Sequence, residues 1–249
     1  MHQFFKEGAA LAAGQEMSLD ADDLNHACRV LRLRKGSPVT VADGRGSAFF
    51  GVISSINPHD ARVLLVEPAP PAEPSLRLTL LQALAKGEKM DLIVRQAVEL
   101  GAARIIPVLT ERSIPRLPAG KEDGRLERWR KIARVAAAQC RRSVLPAVEP
   151  VHDFAQALGL LAGATALVPW EGETDYGFNE MLDRRSPADR AVLLFIGPEG
   201  GFSRAEVEAL SGAGARTVHL GPRILRTETA AAALTLVQAA WGDLGVERQ

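Results

Sequence analysis

Apolar and polar positions follow two different periods along this chain, and the period changes near residue 72. Before that point the pattern is strand-like. Ser37–Ala42 alternates around Val39 and Val41, Asp43-Gly44-Arg45-Gly46 supplies a turn, and Ala48–Ile53 resumes with Phe49, Phe50 and Val52. Ala61–Val66 follows, and β segments of this length and spacing predict a small barrel. Ala21–Arg32 reads as a helix, with Asp20 or Asp22 as its cap. The prolines of Val66–Pro74 forbid helix and remove ladder donors, so the segment reads as an extended spacer. Two domains are therefore expected, residues 1–72 and 73–249.

Beyond the spacer, apolar runs alternate with helical periodicity. Leu76–Leu84, Arg104–Leu109, Ala164–Pro169, Ala191–Ile196 and Thr217–Leu220 read as buried strands. Between them, Met90, Ile93, Val94, Ala97 and Val98 recur at helical spacing, and Gly101 is placed to end that helix. Asp123–Arg142 predicts a long basic helix, and Ser203 with Glu206 forms an S-x-x-E capping box for a helix to about Ala213. Thr229–Trp241 predicts a final Ala-rich helix, apolar nearly all round, which belongs in a core or a subunit interface. Alternation of this kind implies a parallel sheet covered by helices, an α/β fold.

Composition narrows the class. A chain of 249 residues that is 47% hydrophobic is neither disordered nor membrane-spanning, since no apolar run approaches the ~20 residues a bilayer requires. The opening Met-His-Gln-Phe-Phe-Lys-Glu lacks the basic flank and apolar stretch of a secretory signal. Cys28 and Cys140 are too few for a disulfide framework or a structural zinc site, so the simplest compartment is the cytosol. The zero net charge hides an uneven distribution. Residues 1–76 hold 7 basic and 9 acidic side chains, residues 77–142 hold 15 and 7, and residues 143–249 hold 8 and 14. A polyanion such as nucleic acid would settle on the middle third, although an Arg-rich solvated helix face explains the charge equally well. Phosphate-loop, dinucleotide, nucleophile-elbow and zinc-protease motifs are absent, and the five histidines are scattered singly.

Two loops carry the chemistry. Ile196-Gly197-Pro198-Glu199-Gly200-Gly201-Phe202-Ser203 runs from an apolar strand through three glycines into a capped helix, at the edge where parallel sheets bind ligands. Leu220-Gly221-Pro222-Arg223-Ile224-Leu225-Arg226-Thr227-Glu228-Thr229-Ala230 also follows a strand and precedes a helix. Each alone is explained as a tight β–α turn; together they can wrap one small molecule with backbone groups.

This pair of loops resembles the RsmE-type ribosomal RNA uridine-N3 methyltransferases of the SPOUT superfamily. The likeness extends through Lys86-Gly87-Glu88-Lys89-Met90, Gln96, Glu99-Leu100-Gly101, Glu111-Arg112, Trp129, Lys131-Ile132 and Gln139-Cys140. In the first domain His26, Arg29-Val30-Leu31-Arg32, Gly36 and Asp43-Gly44 are similar to the family's signature. Three positions depart from it: Gln3 where an arginine often stands, Ala138 in place of an acidic residue, and Arg141 in place of glycine.

The resemblance implies a PUA-like N-terminal barrel and a C-terminal α/β domain with a deep trefoil knot that binds S-adenosylmethionine (SAM). It implies that Gly197, Glu199, Gly200, Gly201, Leu220, Gly221, Ile224, Leu225 and Arg226 surround the cofactor, with Leu194 and Phe195 supporting the first loop. It also places Arg226 beside the methyl group, where a cation stabilises a uracil N3 anion, while Glu228 orients Arg226 or accepts the proton. RNA phosphates are expected on Lys86, Lys89, Arg128, Lys131, Arg134 and Arg142, with small-subunit ribosomal RNA, within the 30S subunit, as partner. A homodimer through the knotted domain, no metal and no membrane association complete the expectation. A non-catalytic RNA-binding or assembly factor on the same fold is the competing class.

Overall fold

The computed structural model describes residues 1–113, 122–178, 180 and 191–240. The chain forms two compact units, one of Met1–Glu73 with Arg134–Leu145, the other of Pro74–Ala133 with Pro146–Gln249.

The first unit is a five-stranded sheet in the order β1-β3-β4-β5-β2, made of β1 (His2–Phe5), β2 (Glu16–Ser18), β3 (Pro38–Ala42), β4 (Ala48–Ile56) and β5 (Ala61–Pro68). The three alternating runs of the sequence become β3, β4 and β5, paired antiparallel. β1 joins parallel to β3 and β2 antiparallel to β5; both are too short to show a period. Gly51 sits where β4 is irregular. A Cβ there would stand 2.7 Å from the Leu64 carbonyl oxygen, so the strands close only around glycine. Phe4, Val39, Val41, Ile53, Val63 and Leu65 fill the interior.

The helix expected over Ala21–Arg32 is shorter. Asp20 caps α1 (Ala21–Asn25) by accepting the Asp23 amide, and the chain then widens into a π turn over His26–Val30, closed by the Leu31 amide on the His26 carbonyl. Arg32 follows at φ +50°, which ends the helical path.

The second unit is a parallel sheet in the order β12-β10-β11-β6-β7-β8, with β9 paired to β7. Its strands are β6 (Arg77–Ala83), β7 (Ala102–Leu109), β8 (Ala147–Val148), β9 (His152–Asp153), β10 (Thr165–Pro169), β11 (Ala191–Ile196) and β12 (Arg216–Val218). Its helices include α2 (Lys89–Glu99), α3 (Glu122–Gln139), α4 (Phe154–Gly159), α5 (Arg204–Gly212) and α6 (Ala230–Ala240). Ser203 and Glu206 form the reciprocal capping box of α5 that the sequence predicts. Asp153 and Gln156 do the same for α4, which a six-residue helix with little period leaves hidden. Of the final helix, Trp241 lies outside the described residues.

Phe195 of β11 and Phe202 pack edge to face with ring centroids 5.0 Å apart, among Leu81, Ile106, Val108, Val207 and Leu210. Deleting the Phe195 ring would cost about 3–5 kcal/mol, the range for a buried phenylalanine. This core fixes the strand from which the first glycine loop departs. Because all the strands run one way, the loops after β6, β7, β10, β11 and β12 emerge at one edge.

Candidate active site

The two glycine-bearing loops meet. Thr227 Oγ1 donates to the Gly197 carbonyl at 2.7 Å, and Gln82 Nε2, at the end of β6, donates to Thr227 Oγ1 at 2.9 Å. A second link is ionic. Lys89 Nζ lies 3.2 Å from Glu199 Oε1 in the first loop and 3.1 Å from Glu228 Oε2 in the second. The Lys86 amide donates to the same Glu199 oxygen at 3.0 Å, and Arg112 Nη1 donates to the Gly200 carbonyl at 2.9 Å. Loops after β6, β7, β11 and β12 thus hold one another through named side chains.

Two adjoining clefts open here, the narrow one between the two glycine-bearing loops and the wide one between the second of them and the segment after β10. The narrow one, about 80 Å³, is walled by Ile196, Gly197, Gly201, Phe202, Leu220, Leu225, Arg226 and Thr227, among others. The wide one, about 450 Å³, is walled by residues that include Trp170, Glu171, Glu173, His219, Leu220, Gly221, Ile224 and Leu225. Pro169, Glu171, Leu220 and Leu225 belong to both. Gly201 has φ +66°, and a Cβ on it would fall 2.4 Å from Glu171 Oε1, so only glycine lets the backbone pass this wall.

The expected cofactor residues divide accordingly. Gly197, Gly201, Leu220, Gly221, Ile224, Leu225 and Arg226 line the clefts. Glu199 and Gly200 line neither; they are held from behind by Lys86, Lys89 and Arg112. Leu194 and Phe195 are buried in β11 and also line neither, because a strand whose side chains are packed in the core leaves only its terminal loop to a ligand.

The charges are ordered. Glu228 is held below the usual carboxylate range chiefly by its own backbone amide, against a push upward from burial, with Lys89 and then Arg226 adding to the lowering. Burial acts most strongly on Glu199 and would raise it, but amides, including that of Lys86, and the Lys89 ammonium bring it below its ordinary value. Lys89 is shifted upward, first by Glu228. Arg226 stays 84% exposed, with Nη1 3.9 Å from Glu228 Oε1, so its guanidinium faces the open side of the cleft.

The expected RNA contacts separate. Lys86 and Lys131 are exposed and, among the described residues, enter no ion pair. Arg128 is exposed but pairs with Asp91, and Lys89 is committed to Glu199 and Glu228. Arg142 is only 4% exposed and grips Glu73 Oε2 through Nε at 3.0 Å and Nη2 at 2.8 Å. Arg134 pairs with Glu7, lies 3.5 Å from Asp23, donates to the Phe5 carbonyl and covers the Phe5 ring at 5.5 Å. The guanidinium groups of Arg142 and Arg134 are thus engaged by partners inside the first unit. Arg141 has φ +64° just past α3, the left-handed position where glycine is at ease, and the Arg142 amide closes that turn on Ala137.

The sequence reading passed over Gln82 and Glu171, and it quoted Thr227 and Arg112 without giving either a role. None stands in a motif whose chemistry is legible alone; only their convergence singles them out.

A parallel α/β unit that receives a small molecule between two strand-end loops, on one chain with a small β unit, is the class to which RNA methyltransferases conform. Residues 72–238 match the RNA methyltransferase domain family and residues 19–66 the RNA methyltransferase PUA domain. The ribosomal RNA small subunit methyltransferase E of Mycobacterium bovis is 34% identical over 221 residues, covering 86% of this chain and 82% of that protein. The one of Bacillus subtilis is 32% identical over 219 residues, covering 86% and 85%. The crystal structure of the Neisseria gonorrhoeae enzyme of that name, bound to SAM, superposes with TM-score 0.88 at 32% identity, over 98% of this chain and 99% of that one. The chain belongs to the ribosomal RNA small subunit methyltransferase E family.

Proposed function

We propose that this chain transfers a methyl group from SAM to N3 of one uridine in small-subunit ribosomal RNA. The observation that carries this reading is the hydrogen-bonded meeting of Gly197 and Thr227 above one cleft, with Arg226 at its open side.

The residues present fit the cofactor. The apolar wall of Ile196, Phe202, Leu220 and Leu225 suits an adenosine, and Glu171, on the wall of both clefts, suits a cationic ligand. The wider volume lies within the roughly 300–1,000 Å³ of small-molecule sites. Gly197, Gly201, Leu220, Gly221, Ile224 and Leu225 would hold SAM. When bound, it supplies a methyl already activated by the sulfonium.

The chain's own task is the acceptor. Uracil N3 carries an imide proton, and losing it leaves negative charge on the ring oxygens. Arg226 offers a fixed cation to that charge. Glu228, with Oε1 3.9 Å from Arg226 Nη1, orients Arg226, and its own backbone amide holds its carboxyl below the ordinary value. The proton passes to solvent at the open side of the cleft.

Lys86, Lys131 and Arg128 would meet RNA phosphates, and the PUA unit would add a second contact surface. The substrate is read as ribosomal RNA in the context of the 30S subunit, in the cytosol. Among the described residues no helix is long and apolar enough to cross a membrane. The homodimer and the trefoil knot implied by the resemblance belong to the same proposal. Leu236, exposed on α6 between the exposed Ala232 and Ala239, supports an apolar subunit contact there.

The test is twofold. Calorimetry of the pure protein with SAM should show one-site binding, and ribosomal RNA from cells lacking the protein should miss one base methyl by mass spectrometry. Binding without a missing methyl would turn the reading toward the assembly factor; no binding would remove the enzyme reading.

A further inference from the structure

Gln82 is fully buried at the carboxyl end of β6, in register with Ile196 on one side and Pro107 on the other. Its side-chain amide donates to the Ala83 carbonyl and to Thr227 Oγ1, each at 2.9 Å. The orientation of that amide follows from its neighbours. The single Thr227 hydroxyl proton goes to the Gly197 carbonyl, so toward Gln82 the hydroxyl can only accept, and Gln82 must present N–H. Its Oε1 is then buried and, among the described residues, has no hydrogen-bond partner.

A buried acceptor left unpaired weakens a fold, and an apolar side chain of similar shape would remove that cost. Stability does not explain the glutamine. What it does accomplish is geometric. Thr227 lines the narrow cleft, Gly197 lines it from the other loop, and the amide of Gln82 holds the hydroxyl that joins them. The anchor is a central strand of the sheet, flanked by β11 and β7, and so is held from both sides.

We infer that Gln82 is a positioning residue: through Thr227 it sets the separation of the two glycine-bearing loops, and with it the affinity of the cleft for SAM. The inference rests on the reading of that cleft as the cofactor site. It assigns Gln82 no contact with the cofactor or with RNA.

The experiment is calorimetry with SAM, and thermal unfolding, on the full chain carrying Gln82→Leu, Thr227→Val, both, or Thr227→Ser. Gln82→Leu and Thr227→Val should each weaken SAM binding by about tenfold, the scale of a small misplacement of a site. The double variant should lose little more than either, because both cut one chain of hydrogen bonds. Thr227→Ser, which keeps the hydroxyl, should bind within a few-fold of the parent. The melting temperature of Gln82→Leu should hold or rise. Additive losses, unchanged affinity in Gln82→Leu, or a fall in melting temperature that accompanies the lost affinity would each overturn the role and make Gln82 an ordinary core residue. Thr227→Val keeps the test alive if Gln82→Leu fails to fold, since affinity unchanged by it refutes the relay. Absence of SAM binding by the parent protein would sink the functional reading and the relay with it. Parent binding with an indifferent Gln82→Leu would sink the relay alone.

Discussion

At the carboxyl edge of the sheet, Lys89 at the start of α2 meets Glu199 and Glu228 from loops far apart in sequence, its ammonium 3.2 Å from Glu199 and 3.1 Å from Glu228. Along α3 the reverse happens. Arg128, Arg130 and Arg134 are near neighbours in sequence, yet Arg128 holds Asp91, Arg130 holds Glu127 and the Val148 carbonyl, and Arg134 holds Glu7 and Phe5. Lys131, between them, stays uncommitted among the described residues. Clustering of charge in sequence is therefore a poor guide to shared purpose on a helix, where side chains radiate at about 100° per residue. Loops at one edge of a parallel sheet converge because the strand direction obliges them to.

The sharpest way to break this comparison is to remove an edge cation that faces outward. Arg226→Ala should lower turnover by about 10²–10³, the usual loss of one charge-stabilising donor, with SAM affinity little changed. Single-turnover kinetics beside calorimetry will show it; unchanged turnover would return Arg226 to a bystander.

Next in size is the buried member of the basic set. Arg142→Ala strands Glu73 in the first unit and should cost about 3–5 kcal/mol by denaturant unfolding, as broken buried pairs do. A loss below about 1 kcal/mol would put Arg142 back among surface arginines.

A smaller effect separates the exposed lysines from their paired neighbours. Lys86→Ala and Lys131→Ala should each lower the slope of log affinity for RNA against log salt by about 1. If Arg128→Ala lowers it as much, its ion pair with Asp91 gives way to RNA and the distinction drawn along α3 falls.

The smallest effect is lost in acid. The folded pKa of Glu228 lies below its ordinary value, so its carboxylate contributes stability above the unfolded pKa of about 4.5 and loses it as pH falls through the folded value. The stability difference between parent and Glu228→Gln should be present near neutrality and vanish in acid. A difference that persists in acid would move the contribution of Glu228 from charge to packing.

Much of the edge was legible before any coordinates. Gly-Pro turns after apolar runs, the S-x-x-E box at Ser203 and the apolar register of Met90, Ile93, Val94 and Val98 are local signals, and local signals need only a few residues to be read. Gln82 was not legible. A lone glutamine at a strand end looks like any edge polar residue until Thr227 and Gly197 stand beside it. Nor was the return of Arg134–Leu145 to the first unit, because nothing in a helix's own pattern says which neighbour its last turns serve. Among the three departures from the family pattern, Arg141 has a physical meaning: it holds a left-handed turn where glycine would be at ease.

By itself the sequence determined the order and type of the longer elements, the two strand-end loops and, through their spelling, the family. Periodicity, capping and turn chemistry act over a few residues, so they are written in the chain. Only the tertiary structure decided which cations are spent and which are available, and that Gln82, Thr227 and Gly197 form one line. Those outcomes depend on distances between residues remote in sequence, and such distances exist only after the sheet has set its strands side by side.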